Sequence, residues 1–177
     1  MNRRSLVLAA AMMLPAASLM AQDRPTGVLD LLNTTSVGAN RFVEQATIGD
    51  TFATRSAELL LAKSTHPQIR QFAQDTTAAH NAMAAELRTM PEATTRLPSS
   101  GDGPMLARLE RLRGLDGDEL NRWYVQMQVD AYKEAVMLFD SYAQNGEVPA
   151  LKTFAVKHQS AIRNFLQRAE ALQAPPA

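Results

Sequence analysis

Residues 67–90 read PQIRQFAQDTTAAHNAMAAELRTM. Taking Ile69, Ala73, Thr76, His80, Met83, Leu87 and Met90 gives alternating steps of four and three. That is the spacing of one helix face pressed against other helices. Ala, Gln, Glu, Leu, Met and Arg fill most of the remaining positions, and all are good helix formers. His80 stands apart, because every other residue on this seam is apolar or small. A lone imidazole there is either a metal ligand or a core histidine with hydrogen-bond partners.

The same period extends to both sides. Upstream, a helix is expected to start between Thr35 and Asn40, turning Phe42, Ala46, Gly49, Ala53, Ser56 or Ala57, Leu60 and Leu61 inward. Gly49 is its weak point, since an interior glycine costs about 1 kcal/mol against alanine. Close approach of a neighbouring helix is the expected reason for it. Between these helices, Thr65, Pro67 and Gln68 read as a cap, a first-turn proline and a capping-box partner. Downstream, Pro91 ends the second helix. A Pro/Ser/Gly-rich loop, Pro98 to Pro104, and a short helix from Met105 to Arg113 follow. Asp116 and Glu119 read as a second capping box, opening a helix that ends at Asn145-Gly146, a left-handed C-cap signal. Pro149 opens the last helix, with the seam Leu151, Ala155, His158, Ile162, Phe165, Ala169 and Leu172. Four helices of about 25 residues, each roughly 37 Å long, form an all-α, ferritin-like four-helix bundle. The long connection between the second and third, carrying its own short helix, fits that variant.

The chain of 177 residues contains no cysteine, so disulfides, thiolate metal sites and thiol nucleophiles are excluded. Arg3 and Arg4 precede an uncharged apolar run from Leu6 to Met20, which is the pattern of a secretory signal cut after Ala21 or Ser18. Arg3-Arg4-Ser5-Leu6-Val7 also resembles a twin-arginine export signal. The expected division is a removed signal peptide at 1–21, a lead-in at 22–36, the bundle at 37–173 and a frayed tail at 174–177. Within the lead-in, Val28, Leu29, Leu31 and Leu32 suit a small helical turn. No segment reaches the roughly 20 apolar residues of a membrane span. Formal charge is +0, and losing Arg3 and Arg4 leaves the mature chain near −2. No basic stripe suited to nucleic acid is present, and no basic amphipathic face suited to a membrane surface.

Several motifs occur in a family order. Phe42-Val43-x-x-Ala46 comes first, then Phe72-Ala73-Gln74 through His80 to Leu87. Leu120-Asn121-Arg122-Trp123-Tyr124, the run Val129 to Phe139, and Leu151-Lys152-x-Phe154-Ala155 follow. Over about Asn40 to Leu172 the chain resembles the exported bacterial "domain of unknown function 4142" family. The resemblance implies a ferritin-like bundle in the cell envelope with no settled activity. It also implies a set of polar core positions suited to a metal. Here Ala53 aligns with a family glutamate, Ala79 and His80 with an Asp-His pair, and Tyr132 and Phe165 with two histidines. His80 alone keeps the family residue.

The residues themselves point the same way. A di-iron site needs Glu-x-x-His pairs, yet Lys63, Thr77 and Ala155 precede His66, His80 and His158 by three. His80 and His158 with Asp130 or Glu134 would supply enough ligands for a single divalent metal. His80, Met83, Met90 and Met127 are donor types suited to Cu(I), though methionine at helical spacing fills core gaps. Glu58, Glu86, Asp130 and Glu134 border the seams as surface partners, and His66 is expected to be exposed. Trp123, Tyr124, Tyr132 and Tyr142 on the third long helix offer an aromatic core, or a pocket or partner face. No catalytic grouping is legible and no cofactor is expected. The reading is an exported, non-enzymatic periplasmic interaction or ligand-binding protein with an unknown protein or small-molecule partner; a link to envelope stress comes from the resemblance alone. The alternative is a metal-binding bundle using His80 and His158.

Overall fold

The computed structural model describes residues 37–97 and 103–173. The expected signal peptide, the lead-in with its helical turn, the loop residues 98–102 and the tail from 174 lie outside them. Every regular element among the described residues is an α-helix: α1 (Ala39–Lys63), α2 (Pro67–Thr89), α3 (Pro91–Thr94), α4 (Gly103–Arg113), α5 (Gly117–Asn145) and α6 (Pro149–Gln173). α1, α2, α5 and α6 are the four long helices expected.

Helix α1 packs on α2 and α5, and α6 packs on α5 and α2, so the four long helices close a ring. Three-residue turns join α1 to α2 and α5 to α6, which makes each of those pairs an antiparallel hairpin. The connection carries α4, which lies against α1, and one further helical turn, α3, directly after α2. Pro91 opens that turn at the first helical position, where its missing N–H costs nothing.

Burial follows the seam of α2 residue by residue: Ile69, Ala73, Thr76, His80, Met83 and Leu87 are buried, and Met90 is half-buried just past the helix. At one end of the bundle Phe42 stacks on Tyr142 with centroids 4.1 Å apart, and Phe139 meets it edge-on at 5.2 Å. Burial of such rings, at roughly 25 cal/mol per Å² of apolar surface, supplies most of the driving force.

The expected caps are corrected in detail. His66, not Thr65, is the N-cap of α2, and no side chain bonds the first turn. Ser64 Oγ instead accepts the His66 N–H at 3.2 Å and donates to Asn121 Oδ1 at 2.6 Å. Asp116 is the N-cap of α5 but forms no capping box. Its carboxylate lies 3.2 Å from Lys63 Nζ, which also donates to the carbonyls of Arg113 and Leu115. A salt bridge to the lysine takes the place of the expected hydrogen bond to a helix amide. Gly117, at φ +55°, takes the left-handed turn into α5.

Neither glycine expectation holds in the form the sequence suggests. Gly146 is not left-handed, with φ −60° and ψ 133°. Its reason is space, because a Cβ there would sit 2.6 Å from both the carbonyl oxygen and the ring of Tyr142. Gly49 is exposed, and a Cβ there would meet nothing within 4 Å, so no neighbouring helix requires it. The amide of Ala39 at the start of α1 donates to Glu147 Oε1 at 2.6 Å. A carboxylate from the distant α5–α6 turn thereby satisfies a free N–H at a helix N-terminus.

Candidate functional site

The buried stripe of α1 runs Val43, Ala46, Asp50, Ala53, Ala57 and Leu60, in steps of three and four. It therefore carries a carboxyl group into the core, where Asp50 is only 7% exposed. Opposite it on α2 stands His80, at 6%. Asp50 Oδ1 lies 2.7 Å from His80 Nδ1, and Tyr132 Oη from α5 lies 3.0 Å from His80 Nε2. Thr76, one turn before His80, places its hydroxyl 3.4 Å from Tyr132 Oη. Three helices thus deliver a continuous Asp–His–Tyr–Thr chain.

Chemistry assigns the protons. A carboxylate only accepts, so Nδ1 of His80 donates to Asp50, and in that tautomer Nε2 is the acceptor facing the Tyr132 hydroxyl, whose oxygen also lies within reach of Thr76 Oγ1. Burial pushes the Tyr132 phenol well above the ordinary tyrosine range, with Thr76 partly opposing and the Asp50 charge adding to the rise. The phenol therefore stays protonated and serves as donor. Phe165 of α6 closes the site: its ring lies nearly parallel to Tyr132 at 5.5 Å and 6.3 Å from the imidazole centroid. Outside it, Arg168 lies over Phe165 and Phe72 at 5.3 and 5.5 Å and bonds Asp75 at 2.5 Å. Nearly two turns further along α1, Gln128 donates to Ser56 at 2.9 Å, and Ser56 donates to the Ala53 carbonyl.

Positions 80, 132 and 165, aligned with polar family residues, therefore converge in space. The carboxylate beside them is Asp50, one turn before Ala53 and not among the residues the sequence singles out. Its signal was there: an acid at an inward position of the α1 stripe. The residues present do not fit a metal centre at this place. Both nitrogens of His80 are engaged, and hydrocarbon side chains stand at 53, 79 and 165.

The four residues of the divalent-metal alternative are not brought together. His158 Nε2 lies 2.9 Å from Glu86 Oε2, which also takes Lys157 at 2.8 Å. Glu86 is six residues beyond His80 on α2, roughly 9 Å along the axis. Asp130 is exposed and accepts from Gln126 at 3.0 Å, while Glu134 is 3.7 Å from Arg108. Among the described residues no three His, Asp or Glu side chains gather as an ion would require. The methionines of the copper reading divide likewise, with Met83 and Met127 in the apolar core and Met90 at the helix end. His66 is exposed, as expected.

The aromatic residues of α5 do not share one face. Trp123 is half-buried under the Arg111 guanidinium, 3.9 Å from its ring. Tyr124 is fully buried edge-on to Phe72, and its hydroxyl has no hydrogen-bond partner among the described residues. Tyr132 belongs to the polar chain, and Tyr142 lies in the stack on Phe42.

A ring of long helices around self-paired polar side chains defines an all-α bundle protein. The chain belongs to the family described as "Domain of unknown function (DUF4142)", whose model matches residues 32–172. It is similar in fold to a DUF305 fragment from Deinococcus radiodurans, at 15% identity and TM-score 0.66, covering 76% of this chain and 94% of that one. It is also similar to the "putative secreted protein DUF305" from Streptomyces coelicolor, at 16% identity and TM-score 0.63, covering 78% of this chain and 91% of that one. No curated protein matches the sequence. Among the described residues no helix is long and apolar enough to cross a membrane.

Proposed function

We propose that this chain is an exported, non-enzymatic bundle protein of the cell envelope, acting as an interaction or ligand-binding protein through its outer faces. One observation carries the reading. Asp50, His80, Tyr132 and Thr76 bond to one another inside the bundle, as do Ser56 and Gln128. Side chains committed in this way lend rigidity and specify one packing. The outer faces carry Leu106, Met137 and Val156, all at least half exposed. Export rests on the N-terminal charge and hydropathy pattern, and any stress link on the family resemblance.

Two measurements on protein recovered from its native host test this. Cell fractionation with intact-mass analysis is expected to find a periplasmic chain lacking about its first 21 residues; an uncleaved cytoplasmic chain would refute export. Elemental analysis of the same material is expected to find no stoichiometric metal. An ion bound one per chain, and lost in a His80→Ala variant that keeps its helix content, would establish the metal-binding alternative instead.

A further inference from the structure

We propose that Tyr132 is a redox-active tyrosine, giving its phenolic proton to His80 Nε2 as a one-electron oxidant removes an electron from its ring. The oxidant is of the class of free radicals or photogenerated metal complexes, acting by electron tunnelling.

Oxidation of a phenol makes its O–H strongly acidic, so a site lowers the barrier by holding a base on that proton beforehand. Tyr132 Oη is 3.0 Å from His80 Nε2. Asp50, bonded to Nδ1 at 2.7 Å, keeps Nε2 free to accept and faces the positive charge once the ring becomes imidazolium. In the step the Tyr132 O–H bond breaks, an N–H bond forms at His80, and one electron leaves to the oxidant. The products are a neutral tyrosyl radical and an imidazolium paired with Asp50. A one-electron reductant and return of the same proton restore the starting state, so nothing is consumed within the bundle.

The surroundings suit a persistent radical. Tyr132 is 2% exposed, Phe165 lies flat against its ring at 5.5 Å, and Phe72 meets it edge-on at 6.3 Å. At that exposure water and small quenchers are kept off the ring. The two other tyrosines provide internal controls. Tyr124 and Tyr142 are equally buried, yet among the described residues only Tyr132 bonds an imidazole.

The test is photo-oxidation of the folded chain with a ruthenium tris-bipyridine complex and a sacrificial acceptor, followed by electron paramagnetic resonance after rapid freezing. A tyrosyl signal is expected in the wild type, retained in Tyr124→Phe and Tyr142→Phe and absent in Tyr132→Phe. His80→Gln, at unchanged helix content, is expected to slow radical formation by about a hundredfold, the effect of removing a positioned base. A wild-type signal that survives Tyr132→Phe, or lies on Trp123 alone, overturns the proposal. Should His80→Gln fail to fold, the wild type decides. Formation independent of buffer concentration means an internal base takes the proton, and formation that rises with buffer means solvent takes it and the proposal fails.

Discussion

Replacing Asp50 with alanine should destabilise the bundle well beyond the loss of a small side chain. The carboxylate is 7% exposed and 2.7 Å from a histidine that is 6% exposed, so removing it strands the Nδ1–H of His80 away from water. A charge-assisted hydrogen bond contributes about 1.5–3 kcal/mol, and an unsatisfied buried donor costs a similar amount. The expected loss is therefore about 2–3 kcal/mol, a drop in melting temperature of roughly 5–10 °C for a domain of this size. Asp50→Asn keeps the volume and one acceptor oxygen, and should lose about 1 kcal/mol. The decisive comparison is the double variant Asp50→Leu with His80→Leu. With donor and acceptor both gone, no buried group is left unpaired, so its cost should fall short of the two single costs added together by about 1.5–3 kcal/mol. Urea unfolding followed by far-ultraviolet circular dichroism gives each value, provided the m-value stays constant. A single Asp50→Ala cost below about 0.5 kcal/mol, the level of an ordinary surface change, or strict additivity in the cycle, would refute the claim that these side chains depend on each other.

Other expectations follow from individual contacts. Gly49→Ala should stabilise by about 0.5–1 kcal/mol, because its Cβ enters open space on a helix interior. Gly146→Ala should destabilise by about 1–3 kcal/mol through collision with the Tyr142 carbonyl and ring, and thermal melts of the pair read both signs together. Tyr124→Phe removes a buried hydroxyl without a partner and should be neutral or slightly stabilising, whereas Tyr132→Phe should cost about 1 kcal/mol; equal losses in urea titrations would contradict this. Acid should weaken the bundle in a defined window. The Lys157 hydrogen bond holds Glu86 below its usual value, and the Arg168 hydrogen bond does the same for Asp75. Both carboxyls bind protons more readily in the unfolded chain, so their stabilisation is complete above the ordinary carboxylate range. It is lost as pH falls through about 4 and below. Urea midpoints at pH 6 and pH 3 should fall less in a Glu86→Gln, Asp75→Asn variant than in the wild type.

The seam from Ile69 to Met90 was legible because a helix that buries one face must repeat every three or four residues, and His80 stood out against that repeat. The proline starts of α2 and α6 and the helical connection were legible for similarly local reasons. What the sequence concealed lies across helices. Nothing near Asp50 in the chain names His80 as its partner, and nothing near Glu147 announces that it will receive the amide of Ala39. The capping boxes failed because a cap competes with whatever else the fold brings within reach, and Lys63 reached Asp116. Gly146 carried the right residue for an unexpected reason, since a bulky Tyr142 one turn earlier leaves no room for a side chain. In the candidate site, positions 80, 132 and 165 converge, and Asp50 supplies the carboxylate beside them; its partner is thirty residues away, so only the inward position of an acid on the α1 stripe marks it in the sequence.

The imidazole of His80 reports on the whole account, and long-range proton–nitrogen correlation spectroscopy at neutral pH reads its two nitrogens separately. The network predicts a proton on Nδ1, none on Nε2, and shifts in both nitrogens on Asp50→Asn and Tyr132→Phe, while exposed His66 stays unchanged. A proton on Nε2 instead, or His80 nitrogens that do not respond to Asp50→Asn and Tyr132→Phe, would contradict it.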